Sequence, residues 1–257
     1  MEFFDSHSHL NDEKFDEDRT DIINKLKVEG ITKFITNGFS LESSKKAIEI
    51  AKNSDFTYAT VGISPNDIPQ NEEEVWKQIE QIKQIAKNEN VVAIGEIGLD
   101  YYWNNDNKEL QLEVFKKQIE IANELNLPIV IHTRDAIMDT LQVLKENTVK
   151  NKGVFHCCPL NRELVKEALK LDFYISFSGV ITFKNSKNAD EIINMVPIDK
   201  ILIETDSPYL APEPVRGTRN TPINVKLVAN KVSVCKGISI EEVAKTTFNN
   251  ANKLFKL

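Results

Sequence analysis

The stretch that decides the fold is LQLEVFKKQIEIANELNLPIVIHT, residues 110–133. Its first part, 110–125, has helical period: Leu112, Phe115, Ile119 and Ala122 recur at three- and four-residue spacing and mark one buried stripe. Its second part, LPIVIHT (127–133), is a short β-branched run bounded by Asn126 and carrying Pro128 at its start, which reads as a strand. A helix that feeds directly into a buried strand is half of a βαβ unit, and repeated units of this kind build a parallel sheet. The strand ends on a histidine, His132.

The same alternation runs through the chain. Strands are predicted at 2–7, 33–38, 56–63, 90–97, 127–133, 153–158, 173–179 and 200–206, with amphipathic stretches such as EEEVWKQIEQIKQIAK (72–87) between them. Placing the strand ends near residues 9, 38, 64, 96, 132, 156, 178 and 206 gives gaps of 22 to 36 residues, each enough for one βα unit. A doubly wound open sheet also alternates strand and helix, but no G-x-G-x-x-G follows the first strand. The prediction is an α/β fold, a (β/α)8 TIM-like barrel in a single domain over 1–257, closed by two helices at 223–236 and 239–255.

Composition narrows the class. No apolar run approaches the ~20 residues of a membrane span. The N-terminal MEFFDSH lacks a basic n-region and an apolar h-region. The three cysteines, Cys157, Cys158 and Cys235, form no disulfide framework, and Cys158 reads as a structural thiol. A reducing cytoplasm without membrane attachment is therefore expected, with no obligatory protein partner. A net charge of −7 argues against a general basic surface that coats nucleic acid, though not against local capture of phosphates.

The rare polar residues fall at predicted strand ends. Only four histidines occur; His7 and His9 end the first strand, His132 the fifth and His156 the sixth, while Glu96 ends the fourth and Asp206 the eighth. In a barrel of this type those ends form one mouth, where active sites are built. In DSHSHL (5–10), side chains two apart share a face about 7 Å apart, so Asp5, His7 and His9 point one way and Ser6 and Ser8 the other. Two imidazoles so placed can approach one metal ion, with Asp5 one pleat deeper to orient a histidine or support the floor.

Four His, one Glu and one Asp suit two divalent ions ~3.5–4 Å apart with Glu96 as the bridging carboxylate; a single zinc with spare polar neighbours is the alternative. Mixed nitrogen and oxygen donors leave Mg, Mn, Zn, Co or Ni open. Such a centre ionises water and neutralises charge on an attacked phosphoryl or carbonyl group, so the expected chemistry is metal-assisted hydrolysis. Asp206 is the expected proton acceptor for the nucleophilic water, and Asp206 and Glu96 are the two catalytic candidates.

Of five arginines, Arg134, Arg162, Arg216 and Arg219 follow predicted strand ends, in HTR, CCPLNR and VRGTRN. Guanidinium forks match phosphate or carboxylate oxygens, which favours an anionic substrate. Tyr101, Tyr102, Trp103 and Phe183 lie in loops on the same side, where they either stack on bases or pack the loops.

The blocks DSHSHL, VVAIGEIGLDYY, LPIVIHTRDA, VFHC, FYISFSGVITF and ILIETDSPYLAPEPVRGTRN resemble those of the TatD-type metal-dependent deoxyribonucleases, a family within the wider amidohydrolase-type barrels. The resemblance runs in order from Asp5 to the final helix. It implies a TIM-like barrel with two divalent metals, one held by His7, His9, Glu96 and Asp206 and the other by Glu96, His132 and His156. It also implies action on DNA, commonly 3′→5′ exonucleolytic and magnesium-dependent. Two departures stand out. Where the family often reads G-x-H-P-H, this chain has GISPN (62–66), so Ser64 and Asn66 replace two histidines; where it reads R-N-E-P, Thr221 replaces a glutamate. Strand 3 supplies no metal ligand in this assignment, so both ions are expected to survive, and Ser64 falls to a phosphate contact or to none. The competing readings are an enzyme cleaving a small amide, ester or lactone with the same centre, and a catalytically silent partner-binding barrel.

Overall fold

The computed structural model describes residues 1–257. The strands are β1 (Phe3–Ser8), β2 (Ile31–Asn37), β3 (Thr57–Val61), β4 (Val91–Asp100), β5 (Ile129–Arg134), β6 (Gly153–Phe155), β7 (Tyr174–Phe177) and β8 (Ile201–Ile203). The helices between and after them are α1 (Arg19–Val28), α2 (Leu41–Lys52), α3 (Glu72–Ile85), α4 (Lys108–Leu125), α5 (Ile137–Glu146), α6 (Arg162–Lys170), α7 (Ala189–Met195), α8 (Val225–Lys236) and α9 (Ile240–Phe255). The eight strands form one sheet in sequential order β1 to β8, which is the predicted (β/α)8 fold. No helix is long and apolar enough to cross a membrane.

The chain divides into two compact units, Met1–Ile35 with His156–Leu257, and Thr36–Phe155. In the first unit, all six residues of β1 are buried. The two serines that alternate with the histidines serve the sheet: Ser6 Oγ donates to Ile203 O at 2.9 Å and Ser8 Oγ to Ile35 O at 2.8 Å. Phe4 packs edge-on against Phe248 and near Phe255 of α9, so the last helix covers the start of the first strand. Asn250 of the same helix donates to Ile198 O and Ile201 O, satisfying carbonyls where β8 begins.

In the second unit, β3, β4, β5 and β6 pair in parallel. The register between β4 and β5 slips between Ile94, opposite Ile129, and Ile97, opposite Ile131, so β4 carries one residue more than its partner around Glu96. A bulge of this kind re-aims the side chain it contains. The buried face of α4 is turned relative to the stripe expected from its period: Gln111 and Gln118 are fully buried, while Leu112 is only half-buried. The cause is polar satisfaction. Gln111 accepts from Asp100 N and donates to Asp100 O, and Gln118 does the same to the N–H and C=O of Ile63.

Four predicted strands, β3, β6, β7 and β8, are shorter than expected. β6 stops at Phe155 and β8 at Ile203, which puts His156 and Asp206 just beyond their strands. Cys157 (φ 37°), two residues past β6, is left-handed and turns the chain away; Asp206 (φ 55°) is left-handed too, three residues past β8.

Gly98 is a position where only glycine serves. Its φ is +141°, and a Cβ there would meet the carbonyl oxygen of His132 at 2.0 Å. Gly98→Ala would have to push β4 off β5 at the pair Gly98–His132, so we expect it to cost about 3 kcal/mol in urea unfolding. A loss below about 0.5 kcal/mol would show that the strands part without strain.

Candidate metal centre

β1 carries His7, His9 follows one residue past its end at Ser8, and the loop after β8 brings Asp206 to them. Backbone bonds from Asp206 N to His7 O (2.9 Å) and from His9 N to Ser207 O (2.7 Å) lock that loop onto the end of β1. The two Nε2 atoms of His7 and His9 lie 3.1 Å apart, and Asp206 Oδ1 is 3.6 Å from the first and 3.3 Å from the second. His156 stacks on His7 with ring centroids 3.9 Å apart, and donor atoms of His7, His156 and Asp206 all lie within 4.8 Å of one another. Burial pushes the Asp206 carboxyl up, but the hydrogen bond from His9 and the surrounding imidazoles outweigh it and hold it below the ordinary range.

These spacings fit a divalent ion. Two ligand atoms bound at about 2.0–2.1 Å to one ion stand roughly 3.0–3.4 Å from each other. Three facing donors of two imidazoles and one carboxylate meet that separation here, within a few tenths of an ångström.

Asp5 is held within the sheet by the segment that precedes Asp206. It touches no imidazole; its carboxylate accepts from Thr205 Oγ1 (2.6 Å), Thr205 N (2.9 Å) and, at 3.4 Å, His7 N. It thus bolts the base of β1 to the residue preceding Asp206. Burial pushes its carboxyl well above the usual range, against the hydrogen bonds from Thr205.

Glu204 was not anticipated. It is fully buried, its Oε1 accepts from Cys157 N at 2.7 Å and lies 3.4 Å from His156 Nδ1, and its Oε2 is buried without a hydrogen-bond partner. A carboxylate on one ring nitrogen of a histidine leaves the other nitrogen as the donor for a metal. Both neighbouring thiols are poor ligands: burial raises Cys157 and Cys158 well above the usual thiol range, and Cys157 Sγ contacts Ser178 Oγ.

In the second unit, the bulged β4 presents Glu96, with Oε1 3.0 Å from Nδ1 of His132 on β5. The other ring nitrogen, Nε2, lies 2.9 Å from Asp100 Oδ2. Asp100 is a second residue the sequence reading missed. It is fully buried and accepts four hydrogen bonds: Oδ2 from His132 and from Asn66 Nδ2 (3.0 Å), Oδ1 from Tyr102 N and Trp103 N (3.0 Å each). Burial alone would raise its carboxyl, but these donors bring it down to about 2. The sequence signal was present in GEIGLD, since residues 96, 98 and 100 share one strand face.

The predicted substrate contacts separate into two kinds. Arg162 pairs with Glu191 at 3.0 Å, and Arg219 grips Asp18 with both terminal nitrogens, so both are engaged by carboxylates of the chain itself. Arg134 and Arg216 pair with no carboxylate and lie instead over aromatic rings, 3.8 Å from the centre of Tyr102 and 4.1 Å from that of Phe183. The Ser64 hydroxyl is occupied in its own turn, accepting from Asn66 N and donating to Asp67 Oδ2 at 2.9 Å. Asn66, the other replacement in GISPN, is the residue that reaches Asp100.

Known proteins share this arrangement of sequence and fold. The chain is 42% identical over 257 residues to the Bacillus subtilis protein YabD, described as an uncharacterized metal-dependent hydrolase, with 99% of each chain covered. It is 38% identical to Escherichia coli K12 YcfH, described in the same words, covering 100% of this chain and 97% of that one. Its fold matches the crystal structure of the TatD homolog YjjV from E. coli with a TM-score of 0.93 at 24% identity, over 99% of this chain and 98% of the other. The organophosphorus hydrolase of Deinococcus radiodurans shares the fold more distantly, with a TM-score of 0.69 at 14% identity over 98% of this chain and 92% of that one. A family model described as TatD related DNase matches residues 4–256, and the chain belongs to that family.

Proposed function

We propose that the protein is a metal-dependent hydrolase that cleaves phosphodiester bonds of DNA, acting as a 3′→5′ exonuclease with two divalent ions. The observation that carries the metal reading is the 3.1–3.6 Å convergence of His7 Nε2, His9 Nε2 and Asp206 Oδ1. Support for the remaining ligands comes from fold and family. His132 lies near the C-terminal end of its strand and His156 just after its own, the face on which this fold builds its active sites, whereas Glu96, expected to end β4, stands within it because the strand runs on to Asp100.

In this reading His7, His9, Glu96 and Asp206 hold one ion, and Glu96, His132 and His156 the other. The ions, Mg, Mn or Zn, supply an ionised water at neutral pH and neutralise charge on the phosphoryl oxygens. Asp206 would accept the proton of the attacking water. Asp100 fixes the ring orientation of His132, and Glu204 places a carboxylate 3.4 Å from Nδ1 of His156. Arg134 and Arg216, uncommitted to carboxylates, are the cations available for the phosphate backbone.

The test is metal removal. Chelator-treated protein is expected to leave end-labelled single-stranded DNA intact, and restoring a divalent ion is expected to restore stepwise shortening from the 3′ end. DNA cleavage at an unchanged rate without metal would overturn the metal reading. Metal-dependent turnover confined to small amides, esters or lactones, with no DNA shortened, would overturn the nuclease reading.

A further inference from the structure

Tyr102 and Trp103 follow β4 directly and are 54% and 68% exposed, although aromatic side chains of this size normally bury most of their surface. Their rings meet edge-to-face at 4.8 Å, and the Arg134 guanidinium lies 3.8 Å from the centre of Tyr102 and 5.4 Å from that of Trp103. Arg134 is exposed and has no carboxylate partner, so its N–H groups remain available beyond the ring it covers. An aromatic face flattened under a guanidinium holds that fork in place and reduces the entropy lost when it binds an anion.

The loop is also fixed in position. Asp100 accepts the backbone N–H groups of both Tyr102 and Trp103 and holds Nε2 of His132 with its other oxygen. Arg134 stands two residues after His132 on β5, on the same strand face. The exposed aromatics and a candidate metal ligand are thus tied to one carboxylate, and the guanidinium stands two residues along the strand from that ligand.

We propose that Trp103, Tyr102 and Arg134 form a binding subsite for an unpaired nucleobase and its flanking phosphate. The base stacks on the open face of Trp103, Tyr102 backs the guanidinium, and Arg134 takes the phosphate. This rests on the nuclease reading and deepens it: the substrate is a strand end with splayed bases rather than a closed duplex. Stacking tolerates any base, since each has a π-face, so the subsite selects single strands without selecting sequence.

The experiment compares two labelled oligonucleotides, one ordinary single strand and one whose 3′-terminal bases are abasic, by fluorescence anisotropy with the full-length protein held in chelator to stop turnover. The intact protein is expected to bind the base-bearing strand roughly 5- to 100-fold more tightly. Trp103→Ala is expected to erase that preference and Trp103→Phe to restore most of it. Arg134→Ala is expected to weaken both strands alike and to lower the salt dependence by about one phosphate contact. A preference that survives Trp103→Ala, or no preference in a protein that cleaves DNA when metal-loaded, overturns the subsite alone. Failure of the intact protein to bind either strand or to cleave DNA overturns the subsite and the nuclease reading together.

Discussion

Asp206→Asn is expected to leave the fold in place and lower hydrolysis by about 10³-fold or more. The backbone at Asp206 is left-handed, φ 55°, a conformation that asparagine adopts as readily as aspartate. The structural cost of the exchange is therefore small. The chemical cost is not: the amide carries no charge to hold a divalent ion between itself, His7 and His9, and it cannot accept a proton from water. The thermal midpoint, the metal content by elemental analysis and the rate on DNA are to be measured on one preparation. A rate within tenfold of the parent protein would remove Asp206 from the mechanism.

Asp100→Asn is expected to act at a distance from the reacting atoms. The ionised carboxylate can only accept, so it requires Nε2 of His132 to carry a proton and makes Nδ1, the nitrogen 3.0 Å from Glu96, the one that would face a metal. An asparagine amide in its place can donate to Nε2, which moves the proton to Nδ1 and blocks the metal-facing atom. Oδ1 of the asparagine still accepts from Tyr102 N and Trp103 N, so the loop keeps its support. We expect metal affinity to fall by roughly 10–100-fold. Nitrogen-15 spectra of protein loaded with a diamagnetic divalent ion should show His132 protonated at Nε2 in the parent and that signal diminished in the variant. The same tautomer in both proteins would show that Asp100 does not set it.

Much of the architecture is visible in apolar period and spacing, because each strand of this fold is buried and each helix is amphipathic. His7 and His9 bring their Nε2 atoms to 3.1 Å from each other, as their i, i+2 spacing predicts. What the sequence could not show is which partner each polar side chain takes. Arg134 and Arg219 look equivalent as letters, yet Asp18 lies within reach of only one of them. Glu204 sits two residues before Asp206 and reads as part of a strand ending, and only the turn at Cys157 brings it against His156. Leu112 fits the helical stripe of α4 better than Gln111 does by hydropathy, but hydropathy has no term for a backbone residue that needs both a donor and an acceptor. The early end of β6 escaped for a related reason, since the left-handed turn at Cys157 leaves no mark on an apolar run.

The two glutamines of α4 carry a consequence for how this scaffold can be altered. Gln118 clasps Ile63 after β3 and Gln111 clasps Asp100 at the end of β4, each through one donor and one acceptor, and Gln111 also donates to Asn104 O and Asn107 Oδ1. Glutamate lacks the donor and asparagine lacks the reach, so each clasp admits one side chain. Because the clasps hold the loop roots, segments beyond them can be lengthened or exchanged with little disturbance to the sheet. A library built on residues 67–70 and 101–103 with Gln111 and Gln118 held constant would vary what the protein grips while keeping Asn66, Asn104 and Asn107, which bond to Asp100 and Gln111.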